Sequence, residues 1–363
     1  MSASRVRLRA EIESSVPYRQ GKPAAADAFK LSSNENPYEP LPAVLEAIAA
    51  SPINRYPDGA ATKLRERLAQ RWGVTPGEVQ VGAGSASVLS QLINATSAPG
   101  DEIVYAWRSF EAYPGLVAVA GATSVQVPNT ADHRHDLTAM AAAITDRTTL
   151  VIVCSPNNPT SAVVTQAEFE TFMAAVPPTV LVILDEAYAE FVTDAEAVRG
   201  ANLVGRYPNL AILRTFSKAY GLAGLRIGYA IGPEYVMDAA RVTAIPLSVI
   251  DQAQRAAIAS LDNEPELLER VAQLSVLRDE VYAALLDQGW DVPRPHGNFV
   301  WLPTGELTDW AAEVMTGHGI VSRALIDGLR VTIGEPASVE KLLKGSAEVV
   351  SRLRTGPPTA TLD

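Results

Sequence analysis

Lys218 is the only lysine between Leu64 and Glu340, and small residues crowd it in the segment Arg214-Thr-Phe-Ser-Lys-Ala-Tyr-Gly-Leu-Ala-Gly-Leu-Arg-Ile-Gly228. Elsewhere the chain favours arginine for its cations, so a lysine here suggests that an amine is wanted rather than a charge. A lysine amine can be desolvated into a nucleophile that condenses with an aldehyde, whereas a guanidinium stays protonated and unreactive. Thr215 and Ser217 precede the lysine, and Arg226 follows among Gly and Leu, a setting in which a guanidinium requires an anion.

Three other polar groups stand at the ends of apolar runs. Gly82-Ala-Gly-Ser-Ala86 leaves one such run and opens a helical pattern, so its backbone N–H groups and helix N-terminus suit an anion such as phosphate. Cys154-Ser-Pro-Asn-Asn-Pro-Thr160 fixes two amides between prolines, and Val182-Ile-Leu-Asp-Glu-Ala-Tyr188 carries a buried run straight into an acid. A carboxylate at that depth is costly unless it is paired or hydrogen-bonded. Taken singly, these are a turn, a proline-rich turn and a helix cap. Together with Lys218 they supply an aldehyde-binding amine, a carboxylate for a protonated ring nitrogen, a donor for a phenolate oxygen and a phosphate cradle. Pyridoxal 5'-phosphate needs all four.

The elements that must position these groups follow from the apolar pattern. Runs at 79–83, 102–105, 124–127, 149–154, 180–184, 210–213 and 227–231 read as strands, with helical spacing over 85–97, 136–144 and 166–176 between them. That alternation predicts an α/β fold with a seven-stranded, mainly parallel sheet covered by helices, which binds ligands at the carboxyl ends of its strands. After Pro246 the pattern changes to helices over 251–261 and 265–288, strands near 298–302, 319–322 and 329–333, and a last helix from Pro336 to about Leu353. The expected organisation is an N-terminal arm (1–40) packing on the small domain and the site, a large cofactor-binding domain (41–246) and a small α+β domain (247–363).

Composition narrows the function classes. At 363 residues, 47% apolar and 20% charged, the chain has the make-up of a globular enzyme rather than a disordered or fibrous protein. A formal charge of -11 argues against nucleic acid and anionic membrane as partners. The single cysteine, Cys154, permits no intramolecular disulfide, and the first ten residues lack the apolar core of a secretory signal. A cytoplasmic setting without a membrane span is therefore expected. His133 and His135 lie in a polar loop between Asp132 and Asp136 and read as solvated, so no metal site is expected.

The chain resembles the fold-type I pyridoxal-phosphate aminotransferases of the histidinol-phosphate aminotransferase family, and most nearly their aromatic amino acid (phenylalanine) members. The likeness spans almost the whole sequence. It rests on Leu31-Ser-Ser-Asn-Glu-Asn-Pro37, Arg55-Tyr-Pro-Asp58, Gly82-Ala-Gly-Ser85, Asn157-Asn-Pro-Thr160, Asp185-Glu-Ala-Tyr188, Thr215-Phe-Ser-Lys218 through Gly228, Gly297-Asn-Phe299 and Leu329-Arg-Val-Thr332.

The resemblance implies a role for each matching residue. Lys218 would bind the cofactor aldehyde, Asp185 the pyridinium nitrogen, and Tyr188 and Asn157 the phenolate oxygen. Ser85, Ala86, Thr215, Ser217 and Arg226 would hold the phosphate, and Phe110 would stack on the ring where many relatives carry Tyr. Tyr56 would reach the neighbouring subunit's cofactor, which makes a homodimer part of the site. Arg330, with Arg323 as its partner, would meet the anionic end of the substrate, and Asn34 and Tyr18 would line the pocket from the arm. The segment Trp107-Arg-Ser-Phe-Glu-Ala-Tyr113 resembles the aromatic branch. The implied reaction therefore passes the amino group of phenylalanine, tyrosine or tryptophan to 2-oxoglutarate by a ping-pong route. Histidinol phosphate is the alternative donor.

Overall fold

The computed structural model describes residues 6–13, 16–17, 21 and 23–355. In chain order the strands are β1 (Phe29–Lys30), β2 (Val79–Gly82), β3 (Glu102–Trp107), β4 (Thr123–Pro128), β5 (Thr148–Cys154), β6 (Leu181–Asp185), β7 (Leu210–Thr215) and β8 (Gly228–Ile231). They are followed by β9 (Phe299–Pro303), β10 (Ile320–Val321), β11 (Arg323–Leu325) and β12 (Gly328–Thr332).

Seven of them form one sheet in the order β2-β8-β7-β6-β5-β3-β4. All neighbours run parallel except β8, which is antiparallel to both β2 and β7. The central strands β5, β6 and β7 are apolar on both faces because both faces are covered. Side chains alternate across them. Val182, Leu184 and Ile212 enter one core, while Ile183, Ala211 and Leu213 enter the other. The edge strand β4 buries little beyond Val127, as its mixed sequence requires.

The expected strands agree with the observed ones to within a few residues at each end, and boundary differences have local causes. The helix expected over 136–144 is Leu137–Ala142, because Asp136 caps it by accepting a bond from Ala139 N. The strand expected from 227 starts at Gly228, because Arg226 adopts a left-handed φ of 50°.

Beyond the sheet lie the helices Asp251–Asp262 and Glu264–Gln288 and an antiparallel three-stranded sheet of order β11-β12-β9. The apolar residues of Asp251–Asp262 and of the first half of Glu264–Gln288 join a core of the large sheet, whereas the end of the long helix and the three-stranded sheet share a third core with the final helix Val339–Thr355, through Val281, Leu302, Leu329, Val331 and Val349. Leu31 of the N-terminal segment is buried in that same core, and β1 pairs in parallel with β10. The segment is therefore stitched to the C-terminal sheet rather than lying loosely on it. Among the described residues, no helix is long and apolar enough to cross a membrane.

Candidate active site

The carboxyl ends of β3, β5, β6 and β7 converge on one cavity of about 720 Å³, lined also by Ser32, Ser33 and Glu35 and by Arg323 and Arg330. Strands β4 and β5 both follow β3 in sequence but lie on opposite sides of it, so the cavity sits where the strand order reverses.

Lys218 stands three residues past the end of β7, and its Nζ donates to Ser33 O at 3.0 Å. Burial, reinforced by the positive charges of Arg330 and Arg226, pushes its pKa down to about 7 against the opposing pull of Glu35. An amine so placed gives up its proton far more readily than an ordinary lysine, which is what a nucleophile toward an aldehyde and a later proton carrier requires.

Asp185 is the last residue of β6, and burial pushes its carboxyl up to about 6. Two bonds oppose that rise: Tyr113 Oη donates to Oδ2 at 2.7 Å and Ala187 N donates to Oδ1 at 3.2 Å. The next residue, Glu186, points elsewhere, accepting from Gly200 N at 2.8 Å and Arg214 Nη1 at 3.1 Å. Alternation at the strand end thus decides which acid faces the cavity. In the sequence Tyr113 stands only as the last residue of the segment 107–113. Its own ring is fully buried, and Phe110 lies against it at 5.5 Å and 88°.

The opposite end of the cavity is an anion cradle. The twelve-residue helix Ser85–Thr96 presents its first turn there, preceded by Gly84 at φ 86°. A Cβ on Gly84 would lie 2.5 Å from Arg226 Nη2, and one on Gly228 would lie 2.3 Å from Ser85 N, so both glycines are required by close approach. Arg226 Nη1 donates to Ser217 Oγ at 3.3 Å, and Ser217 N donates to Thr215 Oγ1 at 3.1 Å. Ser85, Ala86, Thr215, Ser217 and Arg226 all line the cavity. Helix N-terminus, hydroxyls and guanidinium together fit a phosphate.

Phe110 and Tyr188 also line the cavity, but two expected neighbours do not. Asn157 is turned into the protein: its Nδ2 donates to Arg108 O at 3.0 Å and Thr160 Oγ1 at 2.9 Å, and its Oδ1 accepts from Ser109 Oγ at 2.7 Å. The adjacent Asn158 faces the cavity instead. Asn34 is buried and reaches the site only through Tyr188, donating from Nδ2 to its Oη at 2.9 Å while its Oδ1 accepts from Thr332 Oγ1 at 3.1 Å.

Arg330 and Arg323 are direct register partners on β12 and β11, so both side chains come from the same face of the small sheet. Arg330 Nη1 donates to Asn158 Oδ1 at 2.7 Å, and its Nη2 donates to Ser32 O. Arg323 is held by Glu111, with 3.1 Å from Nε to Oε2 and 2.8 Å from Nη2 to Oε1. Tyr56 is 86% exposed and lies apart from the cavity of its own chain. Tyr18 lies outside the described residues.

His135, read as solvated, is buried, which pushes its pKa down to about 4. Among the described residues, no group of three or more His, Cys, Asp or Glu side chains is placed to hold a metal.

The donor set fits pyridoxal phosphate: a partly deprotonated amine, a carboxylate whose elevated pKa a ring N–H would relieve, a phenol and an amide at one edge, and a phosphate cradle. The sequence matches the family model described as aminotransferase class I and II over residues 26–345. A protein of Streptomyces coelicolor named aromatic amino acid aminotransferase is 54% identical over 96% of this chain and 99% of its own length. One of the same name from Streptomyces avermitilis is 53% identical over 95% and 98%. A solved histidinol-phosphate aminotransferase from Sinorhizobium meliloti, in complex with pyridoxal-5'-phosphate, superposes with a TM-score of 0.85 at 27% identity, over 98% of this chain and all of that one. With Lys218, Asp185 and the Arg226 cradle around one cavity, the chain belongs to the aminotransferase class I and II family.

Proposed function

We propose that this protein is an aromatic amino acid aminotransferase that uses pyridoxal phosphate, takes phenylalanine, tyrosine or tryptophan as amino donor, and passes the amino group to 2-oxoglutarate. The observation that carries the reading is the convergence of Lys218, Asp185 and the anion cradle on a cavity whose other wall holds Arg330. Relatives at about half identity across the full length bear the aromatic name.

Arg330, braced by Asn158 and Ser32 O, receives the substrate carboxylate in a bidentate fork. A clamped carboxylate is poorly placed to leave, which favours transamination over decarboxylation. Phe110 packs against the cofactor ring from one side, and its lack of a phenolic hydroxyl does not affect stacking. Tyr188, positioned by Asn34, and Asn158 serve the phenolate edge; Asn158 replaces Asn157 in this role because only Asn158 faces the cavity. When bound, pyridoxal phosphate supplies the electron sink for the Cα carbanion, and Asp185 keeps that sink effective by holding the ring nitrogen protonated. Lys218, displaced by the substrate amine, takes the Cα proton and returns it on the cofactor side. The 2-oxo acid then leaves and a second one enters the same pocket, which makes the kinetics ping-pong.

We also propose a homodimer. Tyr56 is exposed, as are the apolar Ile53 (88%) and Ile245 (74%). The segments around Tyr56 and Ile245 adjoin: a Cβ on Gly59 would lie 3.0 Å from Leu247 Cδ2, and Gln254 Nε2 of the following helix donates to Asp58 O at 3.0 Å. A second copy seated there would bring Tyr56 to its partner's cradle. The chain divides in this reading into an arm (1–40), a large domain (41–246) and a small domain (247–363), and its one buried, unpaired cysteine suits a reducing cytoplasm.

The deciding experiment is the absorbance spectrum of purified holoprotein before and after stoichiometric phenylalanine, and separately histidinol phosphate, with no oxo acid present. Loss of the aldehyde-form band with phenylalanine supports the reading. Conversion by histidinol phosphate alone rejects it.

A further inference from the structure

Ser161 is fully buried and holds a left-handed backbone, with φ 63°. A residue with a side chain seldom adopts that conformation, and where it does the surrounding structure over-determines it, often at a functional site. The turn before Ser161 is a closed unit, in which Ser161 N donates to Asn157 O at 2.7 Å and Asn157 N donates to Ala162 O at 2.8 Å. From this turn Ser161 reaches the segment that leads into β9. Its Oγ accepts from His296 N at 3.1 Å and from Gly297 N at 2.8 Å, and its carbonyl accepts from His296 N at 3.0 Å.

The same turn meets the three-stranded sheet at a second point, where Asn158 Oδ1 accepts from Arg330 Nη1 at 2.7 Å. Arg330 pairs in register with Trp301 of β9, and Thr332 with Phe299. Arg330 Cζ lies 5.8 Å from the centre of the Phe299 ring, which in turn meets the Tyr188 ring edge-on at 4.9 Å. The start of β9 thus supports Arg330 from behind, and Ser161 ties that start to the turn carrying Asn158.

We propose that Ser161 is a positioning residue for the substrate carboxylate: its hydroxyl oxygen fixes the Asn158 turn against the start of β9 and so holds Arg330 where the carboxylate docks. The inference rests on the aminotransferase reading above and on the role it gives Arg330. Ser161 does not line the cavity, so it acts through other residues. A glycine would adopt the left-handed φ without strain but would offer no oxygen to the two N–H groups. The anion cradle around Ser85 and Arg226 belongs to other segments, so cofactor binding does not depend on this clasp.

The test compares Ser161→Gly and Ser161→Ala with the parent holoenzyme. Both lose the oxygen, while only alanine keeps the backbone strain. The KM for phenylalanine should rise about tenfold in both, with kcat changed less than about threefold, the pattern of a misplaced binding group rather than a damaged reacting centre. The dissociation constant of 2-phenylethylamine, which keeps the ring and amine but lacks the carboxylate, should stay within about twofold, read from the absorbance of the bound cofactor. An unchanged KM in either variant, parent behaviour in Ser161→Gly alone, or equal weakening of both ligands overturns the proposal. If one variant folds poorly, the other gives the same comparison of the two ligands. Conversion of phenylalanine by the parent judges the aminotransferase reading, whereas the variant-to-parent ratios judge Ser161, so the two fail separately.

Discussion

Tyr113 Oη lies 2.7 Å from Asp185 Oδ2, donating a hydrogen bond to the buried carboxylate. The two residues are 72 positions apart, on the helix after β3 and at the end of β6. The same tyrosine ring packs edge-on against Phe110, so one residue supports both the carboxylate and the ring that the proposed function assigns to the cofactor.

Replacing Tyr113 by Phe keeps the packing and deletes that bond. Because the bond opposes the effect of burial, the carboxyl should rise further above its already elevated pKa of about 6. A bond to a charged group is worth on the order of 1.5–3 kcal/mol, so cofactor affinity should fall roughly tenfold or more. Equilibrium cofactor titration checks this, and an unchanged dissociation constant would reject the role.

Asp185→Asn should cut turnover by roughly 10²-fold or more, as expected when a group acting on the reacting system is lost. In the apoprotein the same change should be stabilising near neutral pH. The raised folded pKa means that the folded state binds more protons between about 4 and 6, so the carboxylate's cost appears as pH rises through that window. Denaturant titrations of the two apoproteins should therefore diverge above pH 6 and converge at pH 4 and below.

Lys218→Ala should abolish turnover, and Lys218→Arg should not restore it, because a guanidinium cannot condense with an aldehyde. The apoprotein's stability should also respond to Lys218→Met with a defined sign. The lysine's folded pKa of about 7 lies below its ordinary 10.5, so the unfolded state binds more protons in that interval and the lysine's cost fades as pH rises. The methionine variant's advantage in chemical denaturation should be largest at pH 7 and below and absent above about pH 10.5. A constant difference across that range would show that packing, not charge, is responsible.

If Tyr56 serves the partner's site, Tyr56→Phe should weaken cofactor binding in the dimer, by roughly three- to tenfold for one lost phosphate contact. Mixing Tyr56→Phe chains with Lys218→Ala chains should yield hybrids in which the Tyr56→Phe chain keeps its own lysine and receives its partner's intact Tyr56. Cofactor affinity at that one site, read by titration of separated hybrids, should match the parent. Equal weakness at every site would remove Tyr56 from the partner's pocket.

The sequence by itself determined the sheet, its strand ends and the groups of opposite chemistry placed there. Apolar runs bounded by turn residues and the small-residue segment around Lys218 are local patterns, and local patterns survive without knowledge of the fold. It left open what depends on side-chain direction at irregular turns. Between Pro156 and Pro159 two adjacent amides are equivalent as text, yet only Asn158 faces the cavity, because Asn157 is drawn inward by Arg108 O, Ser109 and Thr160. Nor does the sequence show that Asn34 bonds to Tyr188, that Tyr113 supports Asp185, or that Glu111 pairs with Arg323 across 212 residues. Those pairings join distant segments. They are decided when long-range packing fixes which donors meet which acceptors, since each buried polar group must find a partner within reach.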